Sequence, residues 1–142
     1  MALKYSTSKS VNYKDIDNLR ESIGWRRRGI KKWKEILKKS DFVFTVWDNE
    51  KLVGMGRILE DGIMCMFYDI CVHKDYHGRG IGEKIVKKLI DKVKDKKYVS
   101  IGLFTESAEN FYKKFGFVKT NGMELIKHMD VLKNDSNICH SA

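Results

Sequence analysis

Apolar residues fall at helical spacing in four stretches of the chain. Ile16, Leu19 and Ile23 predict a helix capped by Asn12, with Asp15 near its positive end and Gly24 closing it. Ile30, Trp33 and Leu37 repeat the spacing over about 30–39, where Lys38 and Lys39 suit a helix C-terminus. Ile81, Ile85, Val86, Leu89, Ile90 and Val93 form the most regular stripe, opposite Glu83, Lys84, Lys87, Lys88, Asp91 and Lys92. That helix ends near Asp95. A shorter pattern, Ala108, Phe111 or Tyr112, and Phe115, has Thr105 or Ser107 as its cap and Gly116 at its end.

The intervening stretches read as strands. Residues 3–8 alternate weakly. Residues 41–47 put Phe42, Phe44 and Val46 on one face and Val43, Thr45 and Trp47 on the other. A turn at Asp48-Asn49-Glu50 leads into 51–60, where Gly54 and Gly56 allow something to approach one face. Asp61-Gly62 is a hairpin signal into 63–72, which is apolar on both faces, as in a sheet covered on both sides. Residues 98–103 and 123–129 predict further strands, the last closing the sheet. The polar stretch 134–142 is expected to fray, leaving a single α/β (α+β) domain over 1–133. The chain has no proline, so its turns rest on Gly, Asn, Asp and Ser.

Composition narrows the function classes. The 142 residues are 42% hydrophobic, and no run of eighteen uncharged apolar residues predicts a membrane span. The first ten residues lack a signal-peptide core, so cytoplasm is the expected compartment. A formal net charge of +9, spread as lysines over helix faces, favours polyanionic ligands. A solvated basic surface accounts for most of those lysines. Trp25-Arg26-Arg27-Arg28 is a basic loop that can contact nucleic acid, wall an acceptor site, or simply link helices with Trp25 tucked onto the core. Cys65 and Cys71 sit in the apolar run and read as buried thiols; with Cys139-His140 in the polar tail, no metal spacing arises.

The chain is organised around residues 62–94, a strand, a glycine-rich turn and a helix. His77-Gly78-Arg79-Gly80-Ile81-Gly82 removes three side chains within five positions, just where a helix presents unpaired amides and the positive end of its dipole. Such a turn holds a phosphate or pyrophosphate, or it is a tight connection with no ligand. It is not a Walker A loop, because Glu83-Lys84 follows Gly82. Its Gly-x-Gly-x-Gly spacing also departs from the dinucleotide fingerprint.

This segment resembles motif A of the GCN5-related N-acetyltransferases (GNAT), Gln/Arg-x-x-Gly-x-Gly/Ala, preceded by the family's strand and Val-x-Pro-x-Tyr connection at residues 69–76. Ala108-Glu109-Asn110-Phe111-Tyr112-Lys113-Lys114-Phe115-Gly116-Phe117 resembles its motif B, Ala-x-x-x-Tyr-x-x-x-Gly-Phe. The likeness covers roughly 40–120 well and the N-terminal helices loosely. His77 replaces the usual Gln or Arg, Lys74 a common Pro, and Thr105 an Asn found in many members.

The resemblance implies a mixed, mostly antiparallel sheet with helices on both faces. It also implies an enzyme moving acetyl from acetyl-CoA to a primary amine, on a small molecule or a peptide, in a ternary complex without a metal. Backbone groups of Ile70, Cys71 and Val72 would hold the pantetheine arm and the acetyl carbonyl. His77, Gly78, Arg79, Gly80, Ile81, Gly82 and Glu83 would hold the pyrophosphate. Asn110 would face the cofactor, and Tyr112 would protonate the departing sulfur. Asp69, a carboxylate in an apolar strand, is a candidate base or a loop-holding group. Glu60 and His73 stand in reserve, and Met66 and Tyr68 line the acceptor pocket or fill core. A homodimer through the late strand is expected, and neither nucleic acid nor membrane is an expected partner. Two rival readings stand beside the enzyme: a basic nucleic-acid-binding module, and a catalytically idle member of the same fold.

Overall fold

The computed structural model describes residues 2–125 and 138–139. In order, the chain forms β1 (Leu3–Ser6), α1 (Tyr13–Ser22), α2 (Gly29–Lys39), β2 (Phe42–Asp48), β3 (Lys51–Glu60) and β4 (Met64–Val72). A short 3-10 helix (Lys74–Tyr76) follows, then α3 (Ile81–Val93), β5 (Ser100–Gly102), β6 (Phe104–Thr105), α4 (Glu109–Lys113) and β7 (Ile138–Cys139). Strands β1 to β5 lie side by side in sequence order in a five-stranded sheet. The first four are mutually antiparallel, and β5 runs parallel to β4.

Each face of the sheet has its own core. On one face, α3 and α4 pack Ile81, Ile85, Val86, Leu89, Val93, Ala108 and Tyr112 onto Phe44, Val46, Val53, Phe67, Ile70 and Val72. On the other, α1 and α2 bring Ile16, Leu19, Trp33 and Leu37 onto Val43, Leu52, Met55 and Cys71. The helix stripes predicted from spacing are these buried faces, except that Ile30 at the start of the α2 stripe is exposed. Asn12 caps α1 by accepting the Lys14 amide at 2.9 Å. Trp25 is tucked into the α1–α2 core.

The neighbour that Gly54 and Gly56 admit is α3. A methyl on Gly56 would stand 2.8 Å from Ile85 Cγ2 and 3.0 Å from Leu89 Cδ1, so the helix lies directly on the β3 backbone. This close approach sets where α3 begins, and therefore where the glycine turn sits.

Three features differ from the sequence reading. The strand predicted over 98–103 is only three residues long, because the chain leaves β4 after Gly102, and β6 pairs in parallel with β7. Ile138–Cys139, expected to fray, supplies β7, and its backbone also approaches β4. Residues 123–125, at the start of the predicted closing strand, are not in a strand. The remainder of that prediction lies outside the described residues.

Candidate active site

The site begins where β4 breaks its regular pleat. Met55 opposes Cys71 and Arg57 opposes Tyr68, so Gly56 alone faces the two residues Asp69 and Ile70. The extra residue makes a β-bulge. Asp69 takes φ +53°, a left-handed conformation uncommon for residues other than glycine. Past the bulge the alternation is re-phased: Cys65 and Phe67 face α3, and so do Ile70 and Val72.

Along its other edge, β4 pairs with β5 only at Met64, Cys65 and Met66. Beyond Met66 no described strand extends the ladder along that side. The parted edge therefore includes Ile70, Cys71 and Val72, the residues predicted to hold an extended acyl arm.

The glycine turn lies just beyond. Gly78 (φ +76°) and Gly80 (φ +79°) adopt left-handed conformations that fold the chain sharply into α3. Gly80 is the N-cap, with no side chain capping the helix. The first-turn amides of Ile81, Gly82 and Glu83 lie upstream of the first intrahelical bond, Lys84 N–H to Gly80 O at 3.1 Å. A cavity of about 300 Å³ opens here, lined by Val72, Tyr76, His77, Gly78, Gly80, Ile81, Gly82, Glu83, Phe111 and Lys114. Donor amides, a helix dipole and Lys114 suit an anion carrying several phosphates.

Side chains brace the turn. The His77 imidazole Nε2–H donates to the Val72 carbonyl at 2.7 Å, linking the turn to the end of β4. The Tyr76 hydroxyl donates to Asp48 Oδ2 at 2.6 Å, and the Arg79 guanidinium lies 4.9 Å above the Tyr76 ring.

The predicted catalytic residues separate into two environments. Tyr112 is buried on α4 among Phe111 and Phe117, on the α3 face of the sheet. From the same helix, Phe111 lines the cavity, whereas Asn110 is exposed and does not.

Asp69 is fully buried on the α1–α2 side, in contact with three guanidinium groups. Arg20 Nη1 lies 2.7 Å from Oδ1; Arg28 Nη1 lies 3.1 Å from Oδ1 and 2.9 Å from Oδ2; Arg57 Nε lies 2.7 Å from Oδ2. Burial pushes this carboxyl up, but Arg28, Arg57 and Arg20 together outweigh it and hold it far below the usual carboxylate range. Asp17, also buried, accepts from the Arg28 and Gly29 amides and from the Trp33 indole.

The reserve candidates are likewise engaged. His73 Nδ1 accepts the Asp75 amide at 3.1 Å, and burial with nearby Lys51 lowers its pKa. Glu60 accepts the Gly62 amide at the hairpin end of the sheet, opposite Cys65. Cys65 and Cys71 are buried, and burial pushes the Cys65 thiol up to about 11. Among the described residues no group of His, Cys, Asp and Glu could hold a metal, and no helix is long and apolar enough to cross a membrane.

The arginine cluster was not predicted as a unit. Arg20 gave one signal: it falls four residues after Ile16 and three before Ile23, on the inward stripe of α1, where a charge demands a partner.

Known proteins carry this architecture. The acetyltransferase (GNAT) domain model matches residues 39–119. The uncharacterized N-acetyltransferase ycf52 of Pyropia yezoensis is 34% identical over 120 residues, 80% of this chain and 69% of that protein. Histone acetyltransferase TAP1 of Glycine max is 28% identical over 126 residues, covering 54% of its length. A probable acetyltransferase from meticillin-resistant Staphylococcus aureus superposes with a TM-score of 0.81 at 27% identity, over 89% of this chain and all of that one. The chain belongs to the GNAT acetyltransferase family.

Proposed function

We propose that this chain moves an acetyl group from acetyl-CoA to a primary amine, on a small molecule or a peptide, by direct attack in a ternary complex. The observation that carries this reading is the continuity of two features. The β4 edge that parts from β5 beyond Met66 runs directly into the glycine-lined N-terminus of α3. An extended arm on the first and a pyrophosphate on the second describe one molecule.

The chain's groups then divide the work. Amides of residues 78–83 and the nearby Lys114 hold the phosphates. Backbone groups of Ile70, Cys71 and Val72 hold the arm and place N–H donors for the oxyanion that forms when the amine attacks the carbonyl. As the tetrahedral intermediate collapses the C–S bond breaks, and Tyr112 gives its phenolic proton to the sulfur. Asp69 takes no proton from the amine: three guanidiniums occupy it, and so weak a base has little driving force. The ammonium proton leaves to water.

A histone acetyltransferase among the relatives supports a peptide amine. Of the basic loop, Trp25 is buried and Arg28 turns inward onto Asp69, which leaves Arg26 and Arg27 exposed and weakens the support for a nucleic-acid reading. The compartment is open between cytoplasm and plastid, because one relative, of Arabidopsis thaliana, is chloroplastic.

Gly80→Val tests the reading. An added Cβ meets no protein atom within 4 Å, so the cost to the fold is chiefly the left-handed strain at φ +79°, about 1–2 kcal/mol or somewhat more for a β-branched residue. It should fold, yet its side chain stands where the pyrophosphate meets backbone. Calorimetric titration should show acetyl-CoA binding weakened at least tenfold. Unchanged affinity in the folded variant removes the assignment, and a wild-type protein that binds acetyl-CoA but acetylates nothing in a broad amine panel removes the enzyme.

A further inference from the structure

We infer that the ion cluster on Asp69 is a positioning device: it fixes the β4 bulge, and with it the backbone of Ile70, Cys71 and Val72, to the loop that joins α1 and α2. The inference deepens the proposed function and rests on it.

The three guanidiniums come from three separate parts of the chain. Arg20 projects from α1, Arg28 is the residue before α2, and Arg57 stands on β3. Both carboxylate oxygens are engaged, Oδ1 by Arg20 and Arg28, Oδ2 by Arg28 and Arg57. The guanidiniums are themselves held. Arg20 Nε donates to the Arg26 carbonyl at 3.2 Å, and its carbon lies 5.0 Å from the Trp25 ring centre. Arg28 stacks 5.0 Å from Trp33, and Arg57 4.8 Å from Tyr68. Asp17 fixes the Arg28 and Gly29 amides. The α1–α2 loop therefore cannot shift without pulling on Asp69.

Stability alone is a poor reason for such a cluster. Desolvating several charges costs about what their attraction returns, and well-packed apolar residues commonly do as well or better. A left-handed Asp69 adds roughly 1–3 kcal/mol of strain. What the arrangement supplies is direction. A bulge is otherwise free to slip along its strand, and one step would exchange which backbone groups of residues 70–72 face the open edge. A carboxylate held at both oxygens from three sides leaves the bulge one position. The same contacts tie the backbone of residues 70–72 to α1 and to the residue before α2, so groups held on that backbone keep a fixed position.

Arg28 and Arg57 have side chains 9% exposed and are the members most open to substitution. We choose Arg28→Gln and Arg28→Lys, with Arg27→Gln as control; Arg27 lies in the same loop but bonds Glu21 and Asn18 at the surface, reaching Asp17 only at 4.0 Å and Asp69 not at all. Each protein is first shown to be folded by thermal unfolding. Then kcat and the acetyl-CoA KM are measured well below Tm, with acceptor saturating. Positioning predicts kcat reduced by about 10–100-fold in Arg28→Gln, the range for roughly ångström misplacement. Arg28→Lys should fall between Gln and wild type, keeping the charge but not the contact to both oxygens. KM should change less than kcat, because the phosphate turn belongs to α3.

A folded Arg28→Gln with kcat within twofold of wild type overturns the inference, and so does an equal loss in Arg27→Gln. If Arg28→Gln does not fold, Arg28→Lys decides, and an unchanged kcat there is equally fatal. Failure of the parent reading is distinct, because the wild-type protein would then show no acetyl transfer at all.

Discussion

Gly56→Ala tests whether the cofactor turn is placed by the packing of α3 on β3. The new methyl would lie 2.8 Å from Ile85 Cγ2, 3.0 Å from Leu89 Cδ1 and 3.4 Å from Ile70 Cγ1. Comfortable carbon contacts lie at about 3.5–4.0 Å, so two of these require movement of roughly half an ångström or more. Ile85 cannot swing aside, because a β-branched side chain on a helix has one strongly preferred rotamer, and the residue is fully buried. Leu89 is buried too. The helix must retreat from the strand as a unit.

Overpacking of this kind costs about 1–3 kcal/mol, and replacing glycine returns about 0.4–1 kcal/mol through the unfolded state. The net expectation is a loss of about 1–2 kcal/mol, or roughly 3–8 °C in Tm for a domain of this size. Retreat of α3 also moves the amides of Ile81, Gly82 and Glu83 relative to Val72, so acetyl-CoA affinity should fall several-fold. Gly24→Ala is the control: it has no atom within 4 Å of the added methyl and φ +83°, so it should cost about 1 kcal/mol and leave affinity alone. Thermal unfolding and calorimetric titration read both quantities. A Gly56→Ala protein as stable as wild type, with unchanged affinity, would refute the claim that this contact sets the turn.

Three further outcomes are expected. Tyr112→Phe should keep fold and acetyl-CoA affinity while kcat drops by ~10²-fold or more, the usual loss for a positioned proton donor; a rate within twofold, with chemistry limiting, takes Tyr112 out of the mechanism. Asp69→Asn should be less stable than wild type at pH 7. Because the folded carboxyl is depressed, its contribution is complete above the unfolded pKa of about 4 and fades as pH falls below it, so urea unfolding should show the two proteins converging in acid; a gap independent of pH contradicts the ion cluster. Because the backbone of Ile138–Cys139 approaches β4, a chain lacking residues 134–142 should bind acetyl-CoA at least as tightly, and weaker binding would show that this segment belongs to the site.

Most of the architecture was legible because its periods were clean. The α3 stripe, the Asp61-Gly62 hairpin and the paired glycines of β3 each state their geometry locally, and the structure has the helix, the turn and the close approach where those signals put them. The bulge was not legible. A bulge shows in a sequence as a slip in polar and apolar alternation, and residues 63–72 are apolar on both faces, so a slip leaves no mark. The shortness of β5 was hidden for a similar reason. Its residues suit a strand, and only their divergence from β4, a long-range event, ends the pairing after Gly102.

Asp69 shows the same limit at the level of chemistry. A carboxylate inside an apolar strand means either a perturbed functional group or a paired one, and the strand alone does not say which. The deciding residues lie 49, 41 and 12 positions away in the chain, in Arg20, Arg28 and Arg57. Two of the three belonged to patterns with ready explanations, a basic loop and a strand with a long polar side chain. Arg20 alone broke its pattern, by standing on the inward stripe of a helix. A buried arginine on one element and a buried aspartate on another are each costly alone, and their mutual need is a prediction of contact that requires no structure. Applied here, that inference pairs α1 with the bulge of β4, and on the proposed function it gives Asp69 the part of holding its neighbours in place.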